Sequence, residues 1–356
     1  YKRQLHNRVT RIREDGEGIF WIACGPDTSP SAEPGGLSRF DGASFTCYTD
    51  SETPLDPLLH DFLVADDGSL WVGFLEGIVR FDPHSIIPYG AADGLDEGAV
   101  RKLAVTPDGE CWANFNSALI SRFDGTRWHK VGSSEGLTTS SPRDLFVEAD
   151  GSLLIGNSPG PAFRLPPPGD RGAEVHFEAA PAITSAQAFV QSASTGETWF
   201  GTSEGIRPAG DGQAEAPWMN FGNVSLAAAG PDGVLWFAGN NQSEGGLFRV
   251  ESEEVQNLKS FLPYYDVRGI EVLEDGSLLA ATMRGMARIA PDGSSAVPWP
   301  ADSSAALGNR CFDVVQDGEG RIWVATAKGI FFTDGTAWSQ IDERDGLPKD
   351  AINRIE

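Results

Sequence analysis

The sequence predicts an all-β chain folded as a single β-propeller of eight four-stranded blades spanning residues 1–356, with seven blades as the alternative count. Three observations carry this. A phrase of the form "DG-x-x-W" recurs along the chain, as in "DGSLWVGFLEGIVRFDP" at 67–83, "DGECWANFNSALISRFDG" at 108–125 and "GEGRIWVATAKGIFFTDG" at 318–335. Taking the residue three after each turn glycine as an anchor gives Trp21, Trp71, Trp112, Leu154, Trp199, Trp236, Leu279 and Trp323. Neighbouring anchors lie 37 to 50 residues apart and average about 43, the period of a four-stranded blade. The 42 glycines and 23 prolines supply turns at the required density.

The third unit shows how one blade is built. "AVRKLAV" (99–105) is the innermost strand, and "TPDG" turns it into the second, "ECWANF" (110–115). "LISRF" (119–123) is the third, and "DGT" leads to the fourth, "RWHKV" (127–131). Asp-Gly supplies the positive φ that a tight hairpin needs. Six of the ten tryptophans sit at the second-strand anchor. The other four, Trp128, Trp218, Trp299 and Trp338, share one place in the fourth strand, where the first unit has Phe45. Every tryptophan is thereby assigned to packing between blades, and an aromatic sugar platform would have to come from Phe or Tyr. Two units depart from the pattern. Residues 25–35, "GPDTSPSAEPG", and the proline-rich 158–182 are expected as surface loops, because proline at that density does not fit a sheet interior.

Composition removes several classes of function. A net charge of −24 opposes nucleic acid, whose phosphates need a basic footprint. No apolar run reaches the roughly 18 residues of a membrane span. Cys24, Cys47, Cys111 and Cys311 have no metal-type spacing and sit in strand-like stretches, so they are expected to be reduced core residues rather than a disulfide framework. His6, His60, His84, His129 and His176 fall at unrelated places in the repeat, with no HExxH or GxSxG. No calcium loop of the EF-hand type is present. No cofactor or metal is expected, and a catalytic role is not favoured.

Aligning the first strands locates the polar residues. Seven positions before the turn glycine stand Arg11, Asp61, Lys102, Asp144, Phe189, Leu226, Gly269 and Asp313. One position earlier stand Thr10, His60, Arg101, Arg143, Ala188, Ser225, Arg268 and Phe312, and the column that follows is uniformly apolar. Charge therefore gathers where the innermost strands begin, at the face where the channel of a propeller opens. The candidate ligand-binding set is Arg11, His60, Asp61, Arg101, Lys102, Arg143, Asp144, Arg268 and Asp313. Such a ring can hydrogen-bond a small polar or zwitterionic ligand, or it can pair between blades and satisfy strand-end amides. Loops between second and third strands add Glu76, Asn114, Asn116, Asn157, Glu204, Asn240, Asn241, Gln242, Arg284 and Lys328. Their amides suit hydroxyl-rich ligands, and they are also ordinary turn residues.

The phrase "DG.LWVGF.EGI.RFD", followed by "DGL" before the next strand, resembles the two-component regulator propeller repeat, best at 58–95, 99–137 and 310–347. That resemblance implies the ligand-sensing, periplasmic or otherwise extracytoplasmic part of a bacterial signalling protein. It also implies a small polar molecule or oligosaccharide as ligand, with a protein partner or dimer formed through a downstream region. Family propellers usually have seven blades, and this chain counts eight. The chain opens at Tyr1 without a leader and ends on "DGLPKDAINRIE", so a mature protein or an excised domain is expected. "VTRIRE" (9–14) already fills the first strand of its own unit, which makes "AINRIE" the start of another repeat more than a closing strand. A second resemblance, "GVLWFAG" (233–239) to streptogramin-lyase-like propellers, implies a histidine with acidic residues and a metal at the channel mouth. His60 beside Asp61 is the histidine at that depth. A protein-interaction scaffold is the third alternative.

Overall fold

A computed structural model describes residues 9–341 and Asp345, apart from 25–35, 49–58, 83–84, 172–174, 204, 211–223, 240–245, 252–253, 301–309 and 342–344. The chain is an antiparallel β-propeller of eight blades, each built as an up-and-down sheet in sequence order. The blades occupy 9–48, 59–89, 100–131, 142–184, 188–208, 224–257, 267–299 and 311–341. Seven are four-stranded, and three strands of the fifth are described; the place of its fourth, with Trp218, lies outside the described residues. The loop 25–35 and the segment "AINRIE" also lie outside them.

Backbone contacts group the chain into two compact units, residues 60–260 with blades 2 to 6, and residues 1–59 with 261–356 holding blades 1, 7 and 8. Within the first of these, one apolar cluster joins each successive pair of blades. Trp71 packs with Phe115, Phe123 and Trp128 between blades 2 and 3, and Trp112 packs with Phe163 and Phe177 between blades 3 and 4. Phe189 and Phe200 meet Leu154 and Ile183 between blades 4 and 5, and Trp199 meets Phe237 and Phe248 between blades 5 and 6. In the other unit the last blade packs on the first, with the rings of Phe20 and Trp323 4.2 Å apart. All six anchor tryptophans are buried, from 0% exposed at Trp112 and Trp236 to 8% at Trp21.

The "DG" turns carry more than a hairpin. Asp67, Asp150 and Asp275 each accept the amide N–H of the serine two residues on, which fixes the turn. The other carboxylate oxygen of each receives an arginine from the third strand, Arg80 at 3.0 Å, Arg164 at 3.2 Å and Arg288 at 2.6 Å. Arg80 lies directly across the ladder from Trp71 and stacks over its ring, 5.2 Å from the centroid. In blades 1 and 8 the turn aspartate instead binds the anchor itself: Trp21 Nε1 donates to Asp15 at 2.9 Å and Trp323 Nε1 to Asp317 at 2.7 Å.

The proline-rich stretch corrects the expectation of a loop over 158–182. Pro161–Leu165 is the third strand of blade 4 and Glu178–Thr184 its fourth, so only the segment between them leaves the sheet. Pro161 heads its strand and Pro181 lies in an edge strand, the two places in a sheet where a missing N–H costs little. Arg171, buried in that excursion, returns to Glu110 of blade 3 at 3.0 Å. The four cysteines are free thiols, and burial pushes Cys311 up to about 12.

Candidate functional site

The first strands share an irregularity where the polar columns fall. In blade 3 Val100 pairs with Phe115 and Lys102 with Asn114, leaving Arg101 as an extra residue opposite no partner. Blade 4 repeats this at Arg143, between Pro142 and Asp144, and blade 7 at Arg268, between Val267 and Gly269. The same slip occurs at Thr10, Ser225 and Phe312. These are β-bulges, which release one residue from the ladder and re-aim its side chain. The column read from sequence as Thr10, Arg101, Arg143, Ser225, Arg268 and Phe312 is the bulge column.

The neighbouring aspartates have a different task. Asp61, Asp144 and Asp313 are all buried. Each accepts a backbone N–H from the first strand of the next blade around: Leu103 to Asp61 at 3.0 Å, Phe189 to Asp144 at 3.0 Å, and Ile12 to Asp313 at 3.3 Å. Arg13 adds an ion pair to Asp313 at 2.9 Å. Beside that contact a side chain on Gly269 would come within 2.9 Å of Asp313 Cα, so glycine is what lets the two strands approach. These three carboxylates tie blade to blade. Burial holds Asp144 above the usual carboxylate range, partly offset by Lys102, whose Nζ stands 3.7 Å from Asp144 Oδ1.

The column also needs one adjustment. In blade 5 Val190, not Phe189, lies opposite Trp199, because its turn holds one extra residue before the glycine. Ala188 is therefore the residue equivalent to Lys102 and Asp144. Phe189 takes the place of Leu103, which is why its amide meets Asp144.

In the unit of blades 2 to 6 the structure brings Arg101, Lys102, Arg143 and Asp144 together. Arg101 Nε donates to Asn116 Oδ1 at 2.6 Å, and the positive charge of Arg143 lies near enough to help burial lower the Arg101 pKa. Arg143 is exposed and, among the described residues, makes no hydrogen bond or ion pair. His60 is exposed at the start of the same face, with Asp61 beside it engaged by Leu103. In the unit of blades 1, 7 and 8, Arg11 is half-buried opposite Ala23, and exposed Arg268 is spent on Asp266 at 2.8 Å. Arg284 stacks over Tyr264 at 4.6 Å, and the Tyr264 hydroxyl donates to Tyr265 at 3.0 Å, an aromatic grouping that sequence alignment did not single out. Among the described residues, no three His, Cys, Asp or Glu side chains are grouped as metal ligands, and no helix is long and apolar enough to cross a membrane.

Asn157 closes the second strand of blade 4, buried and accepting the amides of Ser140 and Ser141, and Asn114 is likewise misplaced by sequence reasoning. It lies inside the second strand of blade 3, not in the loop beyond it, and is 0% exposed. Its positions in the other blades are Ala23, Gly73, Gly156, Gly201, Ala238, Ala281 and Ala325. Those small residues were the available signal, since one amide stands in an otherwise Gly/Ala column.

No family model and no curated protein matches the chain. Its fold is similar to many solved structures. These include the extracellular domain of a hybrid two-component system from B. thetaiotaomicron, 16% identical with a TM-score of 0.52 over 96% of this chain and 54% of that one. A one-component system's extracellular domain from the same organism gives 15%, 0.53, 96% and 54%. Virginiamycin B lyase from Staphylococcus aureus gives 15%, 0.55, 90% and 92%. The chain thus spans about half the length of the extracellular domains it matches. At these identities the likeness establishes the β-propeller, a fold shared by extracellular domains of sensor proteins and by lyases.

Proposed function

We propose that this chain is the non-catalytic, ligand-binding propeller of a bacterial signal-transduction protein, acting outside the cytoplasm. It takes a small polar molecule or an oligosaccharide on the face where the first strands begin. Contact with a protein partner, or dimerisation, belongs to a downstream region of such a protein. The observation that carries the reading is the pair Arg101 and Arg143. Both stand on bulges; the first holds Asn116 through Nε alone, and the second has no hydrogen bond or ion pair among the described residues. The likeness to extracellular sensor domains supports it at the level of fold.

The test is a calorimetric screen of free amino acids, monosaccharides and disaccharides, followed by titration of any binder into variants. Arg143→Ala is expected to weaken binding tenfold or more, about 1.4 kcal/mol. Arg39→Ala is the control, because Arg39 lies in the third strand of blade 1, opposite Trp21 and 4.0 Å from Asp41 of the turn that follows. A binder indifferent to Arg143 would remove the site from this face.

A second reading is favoured by the lyase fold and by exposed His60 next to Asp61. A metal-dependent conversion of a screened compound, lost in His60→Ala, would replace sensing with catalysis.

A further inference from the structure

Asn114 is out of keeping with its position. In blades 2, 4 and 5 a Cβ at the equivalent glycine would come within 2.4, 2.8 and 2.5 Å of the next blade's first strand or the residues leading into it, from Gly73 to Val100, Gly156 to Ala186 and Gly201 to Val224. Blades 3 and 4 instead leave room for a whole amide side chain. Both its Nδ2 and its Oδ1 are buried with no hydrogen-bond partner among the described residues. Such a side chain forgoes water and receives nothing from the protein in return. Among the described residues no side chain or backbone group meets it, and a polar atom from outside the chain would.

Its surroundings identify the partner's chemistry. Lys102 is the direct cross-strand neighbour of Asn114, so the two side chains share the face of blade 3 turned toward blade 4. That ammonium is half-exposed and held to Asp144 only at 3.7 Å. Arg101, on the adjoining bulge, spends Nε on Asn116 and keeps its two terminal nitrogens without an acceptor among the described residues. Arg143 is the corresponding bulge residue of blade 4. Three cations thus converge where one strand of blade 3 meets one of blade 4, in a chain whose net charge is −24. Asp144, the nearby carboxylate, is turned to the Phe189 amide of the next blade.

We infer that the junction of blades 3 and 4 is a carboxylate-recognition subsite, in which Arg101, Arg143 and Lys102 hold the carboxylate of a small hydroxyl-bearing acid and the Asn114 amide takes a neutral polar group of the same ligand. The inference rests on the ligand-binding reading above and narrows its ligand class. Paired guanidiniums match a carboxylate through parallel charge-assisted hydrogen bonds, and an amide supplies both donor and acceptor to a hydroxyl.

Calorimetric titration of the whole chain with D-glucuronate, D-glucose and inorganic sulfate tests it. Glucuronate is expected to bind at least tenfold more tightly than glucose and to weaken as salt rises. Arg143→Ala should lower glucuronate affinity tenfold or more at unchanged melting temperature. Asn114→Ala should raise the melting temperature, because a buried unmet amide is removed, while also weakening glucuronate. Equal binding of glucuronate and glucose, sulfate binding without glucuronate, no glucuronate binding at millimolar concentration, or full affinity in the Arg101→Ala/Arg143→Ala double variant would each overturn the subsite. A neutral sugar whose binding depends on Arg143 would overturn the carboxylate assignment and leave the sensing reading standing. Absence of any binder dependent on this face would end both.

Discussion

Arg143 and Asp144 are adjacent in sequence and opposite in role. The bulge releases Arg143 from the ladder, while Asp144 turns inward and accepts the Phe189 amide of the next blade. Asp313→Ala, which breaks the corresponding tie to Ile12 and Arg13, should cost about 1.5–3 kcal/mol in urea unfolding, the range for a hydrogen bond to a charged group. Arg143→Ala should cost nothing measurable. A second residue sets a pH dependence. Glu271 is half-buried, accepts the Gln316 amide at 3.2 Å, and is pushed from 4.5 up to about 7, chiefly by desolvation and secondarily by Asp313, against the pull of the Gln316 amide and Arg13. A carboxyl raised in the folded state favours folding when protonated, so its contribution is complete below pH 4.5 and is lost as pH rises through about 7. The loss amounts to about 3 kcal/mol by pH 8. Glu271→Gln should flatten that part of the stability profile and raise stability at pH 8; an unchanged slope would place the titration elsewhere. Sequence alignment exposed the charged columns because several blades place Asp, Lys or Arg at the same two positions. It did not separate tie from free cation, since that distinction is made by a bulge, a one-residue slip in pairing that leaves no mark on spacing.

At the scale of strands and turns, the repeat was legible wherever turn chemistry was regular. The turn glycine and the apolar anchor three residues on, tryptophan in six blades and leucine in two, located the second strand of every blade. The misreadings have local causes. The turn of blade 5 holds an extra residue, so counting back from Gly196 lands on Phe189 instead of Ala188. Pro161 and Pro181 disguised two strands of blade 4 because proline at a strand start or edge still permits pairing. The clamp of third-strand arginine, turn aspartate and anchor tryptophan joins residues that only the folded ladder makes neighbours. Packing between blades should dominate the energetics. Trp112→Ala, at a fully buried site against Phe177, should destabilise by about 3–5 kcal/mol. Arg80→Ala, which loses a half-exposed pair with Asp67, should cost no more than about 1 kcal/mol. Gly73→Ala drives a methyl to 2.4 Å from Val100 Cγ1 and should behave like an overpacked core, with a cost of about 1–3 kcal/mol. Comparable losses in Arg80→Ala and Trp112→Ala would contradict this ranking.

Across the whole molecule, the blade count and the all-β class follow from a period of about 43 residues, because each unit has two apolar faces that only its neighbours can bury. Function was less legible, since a propeller advertises its packing in every repeat and its ligand chemistry in residues that break the repeat. Asn114, in a column of glycine and alanine, breaks the repeat, and the proposed subsite is built around it. The aspartate column ties blade to blade, and the bulge column of blades 3 and 4 is proposed to meet the ligand. The most direct test is the melting temperature of Arg143→Ala with and without saturating glucuronate, beside the parent chain. The variant is expected to melt with the parent when free and to lose the ligand-induced rise that the parent shows. A variant that melts well below the parent, or one that keeps the full rise, would contradict it.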